Sequence, residues 1–403
     1  MTTTESAPAL LGAARALRPR LLASRDRVEA ERRIPSDLAA ELAVEGFFRF
    51  WLPAAYGGLD LTPAEGLAVV EELAQADAAV AWCVWNGNTY WTAAQLAASA
   101  AREIFSGPAV ITANSTQPKG RAAVVAGGYR VSGRWSLVSG CQIAEWMQLL
   151  CTVHEDGSPR LTAAGTPQLR YMYCRAADCT IVDTWNAGGL RGTGSHDVIV
   201  EDVFVPEERA SGSADPRVLD TPHGRYHAGT RVGAGPGAIA LGIARSAIAA
   251  LIELGGAKRP ERSSQPLSED PGAQTRLAQA EALVCAARGF LFDSVERLWQ
   301  RVLAGEAVDV DGWVHVRLAT LHAVNSAVQA VELCYLTGGA TSLYTSFPLE
   351  RALRDVHAIT QHIAVHPRVL ELAGRALFGL PIDPANYRSS PLLSRHAGGA
   401  GVG

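Results

Sequence analysis

The apolar positions along this chain change period twice. Over the first hundred residues they recur every three or four. Leu38 and Leu42 share a face just after Ser36, which predicts a helix capped by Ser36 and ended by Gly46. A second start is sharper, because Thr62, Pro63 and Glu65 supply a cap, a proline at the first helical position and a capping-box acid. The "WLPAAYGGLDL" between them reads as a turn. From about 109 to 215 the period falls to two. "RAAVVAGGYRVSGRW" is two strands joined at Gly127 and Gly128, and "WMQLLCTV", "LRYMYCRA" and "DVIVEDVFVP" continue as strands. From about 228 the helical period returns in long segments. Leu277, Ala280, Val284, Ala287, Leu291, Val295 and Leu298 alternate steps of three and four, the seam of a bundle. "WVHVRLATLHAVNSAVQAVELCYL" and "LERALRDVHAITQHIAVHPRVLELAGRALFG" read as its companions, and 257–272 as a surface loop. The expectation is an α+β chain with a helical domain over 1–108, a β-domain over 109–215 and a second helical domain over 216–403. The tail from Arg388 is expected to be frayed or held by a partner subunit.

Composition narrows the partners. Hydrophobic residues make up 48% and charged ones 19%, as in an ordinary globular protein. A formal charge of −4 without any basic run argues against nucleic acid or an anionic membrane and for a small molecule. Cys83, Cys141, Cys151, Cys174, Cys179, Cys285 and Cys334 form no CxxC pair, as expected of free thiols in a reducing cytoplasm. The amino terminus lacks the basic and apolar regions of a secretion signal. Arg245 and Glu253 interrupt the most apolar stretch, which argues against a membrane span. With only Lys119 and Lys258 as lysines, Schiff-base chemistry has little room.

Several stretches carry candidate chemistry. Residues 185–208, "WNAGGLRGTGSHDVIVEDVFVPEE", crowd Gly188, Gly189, Gly192 and Gly194 around Thr193, Ser195 and His196, which marks either a turn or the edge of a ligand. The Ser195, His196 and Asp197 run is no catalytic triad, because neighbours on a strand point to opposite faces. His362 with His366, and His223 with His227, have zinc-pair spacing but no third ligand, so no metal is expected. "VGAGPGAIALG" at 232–242 contains Pro236 and has no preceding strand; it reads as a helix packed tightly through small residues, not as a dinucleotide loop. Trp82, Trp85, Asn86, Asn88, Tyr90 and Trp91 form a dense aromatic cluster suited to a flat substrate.

The order of helices, strands and bundle carries landmarks: "YGG" at 56–58, "GRWSLVSG" at 133–140, "RGTGSHDVIVEDVFVP" at 191–206, "TGG" at 337–339 and "RALRDVHAITQH" at 351–362. With these the chain resembles the acyl-CoA dehydrogenase superfamily. It looks most like the flavin-dependent monooxygenase branch, the oxygenase components of two-component phenol, steroid and dibenzothiophene hydroxylases. The resemblance implies an acyl-CoA dehydrogenase-like fold with an N-terminal helical domain, a central β-domain and a C-terminal four-helix bundle, assembled as a homotetramer. It also implies reduced FMN or FAD supplied by a separate flavin reductase, and hydroxylation of an aromatic or polyketide-like molecule through a flavin C4a-hydroperoxide. Ser139 would contact flavin N5, on the strand of Trp135 and beside Gly140. Asn114, Ser115, Thr193 and Ser195 would touch the same flavin, and Gly338 and Gly339 that of a neighbouring subunit. Trp82, Trp85, Asn86 and Tyr90 would border the substrate, and His362, on the penultimate bundle helix, would deprotonate or position it.

Acyl-CoA dehydrogenation demands a carboxylate base. Matched from Arg354 and Asp355, the common glutamate position falls near Ala364, and no acid lies between Asp355 and Glu371. The alternative position, within 226–235, has none either. Monooxygenation is therefore the expectation. The alternatives are a dehydrogenase or oxidase with a displaced base, or a non-catalytic binding subunit.

Overall fold

The computed structural model describes residues 3–382 except 89, 164, 213, 214, 216, 217, 227, 262 and 307, and omits the side chains of 3–5, 90–92 and 228–233. The tail from Arg388 and His227 lie outside the described residues, as does the side chain of Tyr90.

The first layer is helical: α1 (Thr3–Glu31), α2 (Ser36–Val44), α3 (Pro63–Ala76), α4 (Ala78–Gly87) and α5 (Ala98–Ile104). The capping box of α3 forms as expected. Thr62 Oγ1 accepts from the Glu65 amide at 3.2 Å, and Glu65 accepts from the Thr62 amide at 2.8 Å. At α2 the expectation shifts by one residue: Pro35 occupies the cap and Ser36 enters the first turn. Gly46 closes that helix at φ 93°, a value open to glycine.

The strands β1 (Thr112–Val125), β2 (Gly128–Val138), β3 (Trp146–Glu155), β4 (Ser158–Pro159), β5 (Leu169–Arg175), β6 (Thr180–Val182), β7 (His196–Pro206) and β8 (Ala210–Ser211) form one sheet. Its order is β6-β7-β2-β1-β3-β5-β8, with β4 beside β3. The β1–β3 pair is parallel and the others are antiparallel. Val125 already pairs with Gly128, so the hairpin turn is Ala126 and Gly127, one residue earlier than the sequence suggested. Trp135 is fully buried and donates from Nε1 to the Leu150 carbonyl at 2.9 Å. Its ring packs against Gly120 and Gly133. Trp135 is thus a core residue of the sheet, and the cofactor contact expected of it is corrected.

The second helical layer comprises α6 (Pro222–Arg225), α7 (Ala228–Ala257), α8 (Pro271–Leu303), α9 (Val310–Gly338), α10 (Pro348–Ile359) and α11 (Arg368–Leu377). The α8 seam is buried from Ala280 to Leu298 as its spacing implies. Within α7, Ala234–Ala257 is long and apolar enough to cross a membrane, but it packs on α3, α8, α9 and α10 with 61% of its apolar window buried. Its small residues admit neighbours: a Cβ on Gly235 would lie 2.1 Å from the Trp85 indole nitrogen. The last companion segment forms two helices, α10 and α11. His366 precedes Pro367, whose ring pushes it into extended backbone at ψ 139°, and residues 360–367 form turns.

Candidate active site

A cleft of about 950 Å³ opens between the sheet and the helices of both layers. The sheet makes room where two of its pairings lose register. The β1–β3 pairing slips between Ser115 and Gly120, and the β2–β7 pairing between Trp135 and Val138. Thr116, Gln117, Pro118 and Leu137 thereby leave the ladder and form the rim. Leu137 holds φ 59°, which costs a non-glycine residue ~1–2 kcal/mol. Ser139 emerges directly beyond this bulge.

The hydroxyls of this wall form a chain with one consistent direction. Thr193 Oγ1 donates to the Leu190 carbonyl at 2.9 Å, so its bond to Ser195 Oγ at 2.7 Å must be donated by Ser195. Ser195 in turn accepts from Ser139 at 2.7 Å, and Ser139 accepts from Trp82 Nε1 at 3.1 Å. The Ser139 proton is committed, which leaves its second lone pair as an acceptor toward the cleft. Gly140 sits at φ 76° and gives its amide to the Thr193 carbonyl at 2.8 Å, so its role is to shape the turn. Asn114 donates to the Asn86 carbonyl at 2.8 Å and to the Asn86 side chain; both line the cleft with Ser115.

The glycine-rich loop is explained by the protein's own packing. A Cβ on Gly189 would lie 2.2 Å from the Arg354 carbonyl oxygen, and one on Gly192 2.1 Å from a Val28 methyl. These glycines fit the loop against α10 and α1, while Thr193 and Ser195 alone carry the proposed ligand edge. Arg354 donates to the Gly188 carbonyl at 2.5 Å, and Asp355 accepts the Leu190 amide at 2.6 Å. Burial raises the Asp355 carboxyl to about 7. His196 is buried, accepts the Thr184 and Trp185 amides through Nδ1 at 3.1 Å each, and is pushed below its ordinary pKa by that burial. Asp197 instead bonds Arg134 at 2.7 Å, so Ser195, His196 and Asp197 diverge as the strand geometry demands.

The opposite wall is aromatic and basic. Trp82 and Trp85 pack edge to face, with ring centres 4.9 Å apart, and His362 stands 5.3 Å from the first and 5.7 Å from the second. His362 lies in the turn after α10, a correction to its expected place within a helix. Its Nδ1 accepts the Ala364 amide at 3.2 Å, which puts the ring proton on Nε2. Burial, and then the nearby Arg317 charge, lower it to about 4, so the neutral ring is a hydrogen-bond donor near pH 7. His366 likewise accepts the Arg368 amide at 3.2 Å, and the two histidines share a turn, not a helix face.

Sequence reading missed Trp313, Arg317, Trp185, Val369 and Leu372 among the lining residues. Arg317 had a legible signal, a charge on the same buried stripe of α9 as Trp313, Thr320, Leu321 and Val324. Gly338 and Gly339 lie apart from the cleft at the end of α9, where Lys258 donates to the Gly338 carbonyl at 2.6 Å and to Thr341 at 2.9 Å.

A directional acceptor, an amide pair and hydroxyls along one rim, with tryptophans opposite, suit a planar heterocycle whose polar edge meets the sheet. Residues 4–104 match the family model for the acyl-CoA dehydrogenase N-terminal domain and residues 234–367 that for the C-terminal domain. The flavin-dependent monooxygenase oxygenase subunit HsaA of Rhodococcus jostii is 32% identical, over 91% of this chain and 97% of that one. Indole-3-acetate monooxygenase of Pseudomonas putida is 30% identical, over 87% and 89%. The structure of XiaF from Streptomyces, in complex with FADH2 and glycerol, superposes with a TM-score of 0.85 at 25% identity, covering 94% of this chain and 97% of that one. The chain belongs to the acyl-CoA dehydrogenase family, within its branch of flavin-dependent monooxygenase oxygenase components that work with reduced flavin.

Proposed function

We propose that this oxygenase hydroxylates a small aromatic or polyketide-like molecule in the cleft, using reduced FMN or FAD from a separate reductase. The observation that carries the reading is the polarised chain ending at Ser139, which offers an acceptor where a flavin N5–H would sit. Bound reduced flavin supplies the electrons that activate dioxygen. Ser139 would hold the ring edge, with Asn114, Ser115, Thr193 and Ser195 along the same rim. Trp82 and Trp85 would exclude water and flank the substrate, with Asn86 bordering it. His362, with its proton on Nε2, would donate to a substrate oxygen and orient it; this favours the positioning role over the base. The relative named as an indole-3-acetate monooxygenase supports an aromatic substrate.

The finer expectations remain part of the same proposal. Exposed Ile252, Leu336, Leu343 and Tyr344 on the bundle support assembly into a homotetramer, in which Gly338 and Gly339 would meet a neighbour's flavin. Free cysteines support a reducing, cytoplasmic setting.

The test is to supply the protein with enzymatically reduced flavin, oxygen and a panel of phenols and indoles, and to measure product against hydrogen peroxide. A substrate that diverts oxygen from peroxide into hydroxylated product is the expected result. Acyl-thioester reduction of tightly bound oxidised FAD without reductase would instead make it a dehydrogenase. That outcome is disfavoured, since none of the described residues lining the cleft is Asp or Glu.

A further inference from the structure

Among the described residues Arg317 is a buried cation without a counter-ion. It is 8% exposed, on the inward stripe of α9. Its Nε is shut off from solvent and has no hydrogen-bond partner among the described residues. Among the described residues its hydrogen bond runs from Nη2 to the Ile363 carbonyl, long at 3.4 Å, and its guanidinium lies 5.6 Å from the Trp313 ring centre. Burial alone, with no carboxylate to oppose it, pushes it down to about 10. The ionisable groups among the described cleft-lining residues are Arg317, Arg368, His362 and His366, all of them basic. A guanidinium placed this way carries a desolvation cost that a bound anion would relieve.

Contacts order the groups across the cleft. Ser139 is bonded to Trp82, the Trp82 ring meets His362, and the carbonyl of the residue after His362 takes the Arg317 bond. Trp82 and His362 therefore stand between the hydroxyl chain and Arg317. If Ser139 marks the flavin side, as in the function proposed above, an anion at Arg317 belongs to the substrate.

We propose that Arg317 receives a carboxylate of the substrate, so that this oxygenase acts on an aromatic acid. A carboxylate is ionised near pH 7, whereas a simple phenol is neutral there. A guanidinium pairs with a carboxylate through two parallel hydrogen bonds, and Arg317 lines the cleft from which such a group would approach. Trp313, Val369 and Leu372 around it supply apolar surface for the attached ring.

The probes are 2-naphthoate and its neutral counterpart 2-naphthamide, titrated calorimetrically into the protein loaded anaerobically with reduced flavin. Wild type is expected to bind the naphthoate at least ~10-fold more tightly than the amide. Arg317→Met should remove that preference without altering the affinity for reduced flavin, and Arg317→Lys should restore part of it. Equal affinity of wild type for the two probes overturns the inference and needs no variant. So does an Arg317→Met protein that loses reduced flavin but keeps its preference for naphthoate, which would assign the arginine to the cofactor. Hydroxylation of neutral phenols by the same wild-type protein tests the oxygenase reading separately, so the two can fail independently.

Discussion

The two walls of the cleft are built on opposite principles. On the sheet side the hydroxyls and amides bond one another: Ser139, Ser195 and Thr193 form a chain, and Asn114 bonds Asn86. On the helical side, among the described residues, Arg317 Nε has no partner and His362 leaves Nε2–H without one. A satisfied network costs nothing to maintain and holds its geometry before any ligand arrives. An unpaired buried charge costs several kcal/mol and is relieved only when its ligand binds. The sheet wall is thus preorganised for one constant partner, and the helical wall is poised for a particular substrate.

That contrast breaks most visibly at His362. His362→Ala should lower hydroxylated product formation by about 10²-fold while reduced flavin still binds as in wild type. A matching loss of flavin affinity would place His362 on the wrong wall. Next in size is Ser139→Ala, which removes the acceptor but no substrate contact. Product formed per oxygen consumed should fall by roughly tenfold, the worth of a hydrogen bond of about 1.4 kcal/mol, with peroxide rising in proportion. If substrate affinity falls instead, the division between the walls is wrong.

The smallest effect tests the tie between the walls, where Asp355 on α10 holds the Leu190 amide beside the hydroxyl chain. Its folded pKa of about 7 lies above the ordinary 3.8, so the folded state keeps a proton that the unfolded chain releases. This contribution is full below the ordinary value and is lost as pH rises through 7. Asp355→Asn can still accept the Leu190 amide but does not titrate. Denaturant melts at several pH values should therefore show wild type losing on the order of 1 kcal/mol relative to the variant between about pH 6 and 7.5. Parallel pH profiles would remove Asp355 from that role.

Legibility followed the range of the forces involved. The Thr62 capping box, the α8 seam and the small-residue helix α7 could be read directly, because each rests on neighbours within a few turns of chain. Trp135 could not be placed, since its landmark strand is shared by core and rim, and only the sheet buries its ring. His362 was expected on the penultimate helix through the resemblance alone; the helix ends at Ile359, and Pro367 holds His366 in extended backbone. The glycines of 188–194 announced a close approach without naming what approaches, and the answer was Arg354 and Val28, far away in sequence.

By itself, then, the sequence determined the alternation of helix, sheet and bundle, the missing carboxylate base and the residue types available for flavin and an aromatic ligand. Periodicity, caps and composition are local properties and survive without a fold. Which hydroxyl keeps a free lone pair, which nitrogen of His362 carries the proton and whether Arg317 finds a counter-ion were decided only by tertiary structure. Each depends on hydrogen bonds and burial contributed by residues distant in the chain.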